Sequence, residues 1–205
     1  MIKKVINSFL NLLFPIKCLG CGKENEILCP ECLRRIDYPT LLKSNNILAA
    51  TDYNDELAKR AIWLLKYRGL KQIAEPLAEL IKQRILEKIK IKNPVFIPIP
   101  LSSKRLRERG FNQSELIAKY LSDNVITNVL YKSRETISQV LVRDRKKRLD
   151  NLKGSFAVKN TELIKDKNII LIDDVSTTGA TISEAKKVLR DAGAKNIMAL
   201  VVARG

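Results

Sequence analysis

Four aliphatic residues, Ile169-Ile170-Leu171-Ile172, lead into Asp173-Asp174-Val175-Ser176-Thr177-Thr178-Gly179-Ala180-Thr181. These residue types in this order could do chemistry. Two adjacent carboxylates can accept hydrogen bonds from the vicinal hydroxyls of a sugar, or hold Mg²⁺ through water. Hydroxyl side chains and one glycine then turn into an amphipathic segment, so hydroxyls, backbone N–H groups and a helix dipole meet in one concavity suited to phosphate. The ligand this describes is a sugar bearing a phosphate. The structural alternative is an Asp-Asp pair that merely precedes a capped helix.

All four cysteines fall within fifteen residues, as Cys18-x2-Cys21 and Cys29-x2-Cys32. Two such knuckles bring four thiolates around one ion in the tetrahedral geometry of a structural Zn²⁺, with no open position for catalysis. A redox or disulfide role, or plain buried thiols, are the alternatives.

Lys and Arg number 38 against 22 Asp and Glu, giving a formal charge of +16, and the chain contains 0 His. Without histidine there is no Ser–His or Cys–His nucleophile pair and no imidazole proton shuttle. The positive charge concentrates between residues 101 and 153. One part of it, Ser102, Lys104, Arg105, Arg107 and Arg109, follows an aliphatic strand and could receive an anion, since Arg suits bidentate phosphate contacts. A second part, Gln139 to Arg148, includes Arg143, Arg145, Lys146, Lys147 and Arg148, and has the composition of an arm that orders on a polyanion. Each could equally be a solvated basic surface.

The elements that must position these groups alternate. Strands are expected at 47–51, 95–100, 169–172 and 196–202, and helices at 55–65, 76–89, 114–121 and 182–191. The β-α-β order implies an α/β fold with a parallel sheet flanked by helices, and ligands then bind outside the carboxyl ends of the strands. Ile2, Val5, Ile6, Phe9, Leu10 and Leu13 share one face of an expected N-terminal helix that Pro15 ends. A membrane-surface anchor is its alternative to packing on the protein. No apolar run is long enough for a membrane span, and no small-x-small cleavage site follows the N-terminal stretch, so a cytoplasmic protein is expected.

The 168–181 string resembles the phosphoribosyl pyrophosphate (PRPP) loop of type I phosphoribosyltransferases. Leu13-Phe14-Pro15 before the paired knuckles, Lys66-Tyr67-Arg68-Gly69, Arg107-x-Arg109-Gly110-Phe111-Asn112-Gln113, and Gln139…Arg143…Arg148…Asn151…Gly154-x-Phe156 complete a resemblance to the ComF family. It implies a four-cysteine zinc module within 1–40 and a phosphoribosyltransferase-like domain over 41–205. It also implies PRPP with Mg²⁺ as ligand: Asp173 and Asp174 would meet the ribose hydroxyls, and Ser176, Thr177, Thr178, Gly179, Ala180 and Thr181 would wrap the 5′-phosphate. The 102–109 turn would take the pyrophosphate, and the 139–148 arm the place of a flexible loop. The family implies a part in natural transformation, with single-stranded DNA and other DNA-uptake proteins as partners. An active transferase of unknown acceptor, or a PRPP-sensing scaffold, are the other readings.

Overall fold

Aliphatic runs bounded by Asn, Asp and Pro become strands in the computed structural model, which describes residues 15–39, 43–44, 46–133 and 154–205. Strands β1 (Lys43–Ser44), β2 (Ile47–Asp52), β3 (Val95–Pro98), β6 (Asn168–Ser176) and β7 (Asn196–Arg204) form one sheet in the order β1-β2-β7-β6-β3. The pairs β2·β7, β6·β7 and β3·β6 are parallel, and β1 adds antiparallel at the edge. A separate antiparallel pair joins β4 (Leu130–Lys132) to β5 (Phe156–Val158).

Both faces of the central strands are apolar because both are covered. On one face Ile170, Ile172, Leu200 and Val202 pack with Ile62 and Leu65 of α2 (Glu56–Tyr67), Leu77 and Ile81 of α3 (Ala74–Arg84), and Ile117 of α5 (Gln113–Leu121). On the other, Ile169, Leu171, Ala199 and Val201 meet Ile182, Ala185 and Leu189 of α6 (Ala180–Asp191). The cysteine segment carries α1 (Pro30–Arg35), and its Leu28, Cys29, Leu33 and Ile36 join the first of these cores.

Local chemistry sets the ends of the helices. Asp55 caps α2 by accepting the Ala58 N–H at 2.7 Å, and Asn112 caps α5 through the Ser114 N–H at 3.0 Å. Three expectations are revised. The basic turn after β3 contains a helix, α4 (Ser103–Arg109), capped by Ser102 at the Arg105 N–H and ended by Gly110 at φ 78°. The expected 76–89 helix is α3 followed by a 3-10 turn at Leu86–Lys88. The expected strand over 169–172 runs on through both aspartates to Ser176, because β7 is equally long and pairs with it as far as Ser176↔Arg204. The N-terminal helix and the 139–148 arm lie outside the described residues. Among those described, no helix is long and apolar enough to cross a membrane.

Candidate functional site

Because β6 continues past Ile172, Asp173 and Asp174 are held as strand residues at the carboxyl end of a parallel sheet. Asp174 is 3% exposed, and its Oδ1 receives the Lys66 ammonium of α2 at 2.7 Å. Its Oδ2 is buried and accepts from no group among the described residues. Asp173 Oδ1 accepts from Ser114 Oγ at 3.0 Å and from the Asp174 N–H at 2.9 Å. Burial, and then the neighbouring Asp174 carboxylate, push Asp173 up from the usual carboxylate range to about 7; Lys66 and the two hydrogen bonds pull against that rise. Burial alone would depress Lys66, but Asp174 foremost, with Asp173 and Tyr53, carries it above the ordinary lysine value.

The sign of a pH effect follows. A carboxyl raised in the folded state binds a proton that the unfolded chain has already released, so its contribution is whole at about pH 4 and is lost as pH climbs through 7. Asp173→Asn keeps an oxygen acceptor for Ser114 and for the Asp174 N–H but cannot ionise. It should stabilise the ligand-free protein by on the order of 2 kcal/mol at pH 8, the gain vanishing toward pH 4. Thermal unfolding of both proteins from pH 4 to 8 checks this, and parallel curves would refute it.

Past the aspartates the chain turns tightly. Ser176 is buried and Thr177 exposed, and Thr178 Oγ1 accepts the Ala180 N–H at 3.3 Å. Gly179, at φ 76°, is the N-cap of α6. A side chain there would be strained by the left-handed backbone and would also press on Ile47 Cδ1, 3.1 Å from its Cβ. The turn thus sets hydroxyls, the α6 N-terminus and Thr181 of its first turn just beyond the carboxylates.

The basic helix contributes unequally. Arg109 is half-buried, feels the charges of Asp174 and Asp173, lies over the Tyr67 ring at 5.7 Å, and donates through Nη1 to Gln113 Oε1. Burial holds its guanidinium below the ordinary arginine value. Arg105 is half-buried and close enough to be felt by Arg109, Ser102 is buried as the cap, and Lys104 and Arg107 are exposed on α4.

The cysteines do converge. The Sγ atoms of Cys18, Cys21, Cys29 and Cys32 all lie within 4.8 Å of one another, and that of Cys21 is 3.7 Å from that of Cys29. This is about the edge of a tetrahedron with metal–sulfur bonds of about 2.3 Å. The Cys29 N–H points at Cys18 Sγ from 3.3 Å, the kind of outer-shell hydrogen bond that orients a thiolate ligand. Burial and hydrogen bonds from the other three thiols push Cys32 up to about 12. Burial opposes ionisation of Cys18 too, yet the backbone N–H groups of Cys29, Cys21 and Gly20 bring it down to about 6. Thiols this close cannot all ionise without a cation. Gly20 makes the close approach possible, since a Cβ there would sit 2.6 Å from Cys32 Sγ.

The Phosphoribosyl transferase domain model matches residues 67–205, more than half the chain. Competence protein ComFC of Bacillus subtilis (strain 168) is 32% identical over 183 residues, covering 86% of this chain and 72% of that protein. This chain belongs to the ComF family of phosphoribosyl transferase domains. The DNA utilization protein YhgH of Salmonella typhi is 26% identical over 208 aligned residues, covering 91% of this chain and 88% of that one. Among solved structures, the allosteric regulatory enzyme of purine biosynthesis matches 62% of this chain and 25% of its own at 16% identity, with a TM-score of 0.41.

In this ComF chain, sequence reasoning placed the acidic pair but missed its partners. Lys66 reads as part of a helix end and Ser114 as the start of a helix, because neither carries a spacing signal toward Asp173 or Asp174, 59 residues beyond Ser114. The usable clue was Lys66-Tyr67-Arg68-Gly69 itself: a lysine on the apolar stripe of α2, one position past the buried Leu65.

Proposed function

We propose that this ComF-family chain binds PRPP with Mg²⁺ at the Asp173–Thr181 segment and serves in the uptake of DNA during natural transformation, handling single-stranded DNA in the cytoplasm. The observation that carries the ligand reading is Asp174 Oδ2, a buried carboxylate oxygen without a partner among the described residues, on the strand that runs directly into the hydroxyl-rich turn before α6. Buried polar atoms are seldom left unmet, and a ribose hydroxyl or a Mg²⁺-bound water would meet this one. In this reading both carboxylates face the ribose. Ser176, Thr177, Thr178, Gly179, Ala180 and Thr181 hold the 5′-phosphate.

Arg109, with Ser102, Lys104, Arg105 and Arg107 on or beside α4, would attract the pyrophosphate, and the 139–148 arm would add charge over it. Mg²⁺ would neutralise phosphate charge. Zn²⁺ in the four-thiol cluster would be structural, since all four positions are protein ligands. Residues 1–40 then form the zinc module and 41–205 the phosphoribosyl unit. The DNA role is supported by the relatives' names, competence protein and DNA utilization protein. Other DNA-uptake proteins would be its partners.

Calorimetric titration of Mg²⁺-PRPP into the parent and into Asp174→Ala tests the ligand. Binding is expected to be lost in the variant, and absence of binding by folded parent protein would overturn the reading. Pyrophosphate release by the same samples would identify a transferase, and binding without release a sensor.

A further inference from the structure

A groove of about 720 Å³ runs between the cysteine module and α2, lined by Leu19, Gly20 and Cys32 on one side and by Tyr53, Leu57 and Trp63 on the other. Trp63 is a large apolar side chain left 46% exposed, and the Arg68 guanidinium lies 5.8 Å from its ring centre. Tyr67 continues the aromatic surface 6.0 Å away, on the side where Arg109 covers it. Arg35, Lys59 and Arg60 also line the groove, and its one acid among the lining residues, Glu56, is met by Lys59 at 3.5 Å.

An open indole beside Arg68, in a groove that Arg35, Lys59 and Arg60 also line, is poorly explained as packing. Flat π-systems stack on it, and arginines beside it take the phosphate that such a ring brings. The groove is also tied to the carboxylate pair. Trp63 and Lys66 are one turn apart on α2, and Tyr53, which donates its backbone N–H to the Arg204 carbonyl, packs near Gly205 and Thr177.

We propose that this groove binds an unpaired nucleobase together with its phosphate: the base stacks against Trp63, and Arg35 and Arg60 hold the phosphate. The proposal rests on the nucleic-acid part of the function given above and assigns it a place separate from the PRPP segment. One source of that chemistry is a free nucleotide, the other a base within a single strand. One wall of the groove is the metal knuckle itself, through Leu19, Gly20 and Cys32. The four-cysteine cluster therefore shapes a binding surface as well as holding its own segment together.

Trp63 is the only tryptophan in the chain, so its fluorescence reports on this groove alone. The zinc-loaded protein, without PRPP, is titrated with thymidine monophosphate and with a twelve-residue oligothymidylate at low salt. Quenching by either supports the site: by both, it accepts a free nucleotide; by the oligomer alone, its ligand is a strand, and affinity falls steeply with added salt. Arg60→Ala, at an exposed helix position, should weaken quenching about tenfold. Trp63→Leu, followed by anisotropy of a labelled oligomer, should do the same or more.

Stripping the metal with a chelator should abolish quenching. Quenching by neither probe, or binding equally strong in Arg60→Ala and Trp63→Leu, would overturn the assignment. Because calorimetry with Mg²⁺-PRPP reads the other segment, a failed PRPP site and a failed groove give different results. Arg60→Ala is expected to leave PRPP binding unchanged.

Discussion

Lys66→Met should lower the stability of the ligand-free protein by about 3–5 kcal/mol, the range for removing one partner of a buried ion pair. Lys66 and Asp174 are 2.7 Å apart, with side chains 18% and 4% exposed. Attraction across such a pair only roughly offsets the loss of hydration of two ions, so little net stability resides in the contact itself. The damage comes from what remains. Methionine fills the volume of the lysine stem and leaves Asp174 buried, with Oδ2 already unpartnered and Asp173 next in the strand. Asp174 then lies beside Asp173 with no cation from α2, and the end of β6 bears the cost.

The same logic predicts rescue. Adding Asp174→Asn to Lys66→Met removes the orphaned charge and should return more than half of the loss, whereas Asp174→Asn in the parent orphans the Lys66 ammonium in turn, with Asp173 as its remaining acidic neighbour. Urea unfolding of the four proteins at pH 7 closes this cycle. A Lys66→Met loss under about 1 kcal/mol, or no coupling between the two changes, would show that the pair is solvated. Two ions and an unmet oxygen kept at one strand end are stability given up locally, which the proposed binding of a polar ligand there would account for.

The features legible in the sequence are those set by local rules. Ile169 to Ile172 announce a strand covered on both faces, Asp55 and Gly69 bracket α2 with a cap and a left-handed turn, and the cysteine spacing gives the cluster outright. Four of the five strands of the main sheet were readable in this way, and the parallel arrangement followed from their alternation with helices. What was not readable depends on contacts distant along the chain. The extension of β6 through the aspartates needs β7 as its partner, and only that pairing makes Asp173 and Asp174 strand residues. The pairing of Lys66 with Asp174 spans more than a hundred residues. Helix α4 was hidden because its Lys-Arg-Leu-Arg-Glu-Arg sequence is so charged that it buries no residue and shows no apolar stripe. In the basic turn, composition identified the cations, but only the fold places Arg109 where the charges of both carboxylates reach it.

Arg84 offers the second large effect, and no motif marks it. It ends α3 only 6% exposed. Its Nη1 donates to the Asp37 carbonyl at 2.7 Å and the Ala50 carbonyl at 2.9 Å, and its Nη2 to the Ile36 carbonyl at 2.6 Å. The guanidinium also lies 4.1 Å from the Tyr38 ring centre. One planar fork thus ties the stretch after α1, which leaves the cysteine cluster, to β2 of the main sheet. Burial lowers its affinity for a proton without discharging it.

In Arg84→Met the Ile36 and Ala50 carbonyls lose that donor, while Asp37 keeps the Thr51 hydroxyl at 2.7 Å. Two buried acceptors left short, at roughly 1–3 kcal/mol each, give an expected loss of about 2–6 kcal/mol. Arg84→Lys should recover little of it, because one compact ammonium cannot reproduce a fork spread over three carbonyls. Hydrogen exchange decides where the loss falls: amides of residues 33–38 should exchange faster, while those of β6 and β7 keep their protection relative to global stability. Uniform loss of protection, or a change under about 1 kcal/mol, would mean that the two parts of the chain are held together by their shared apolar core, with the guanidinium only a passenger at its edge.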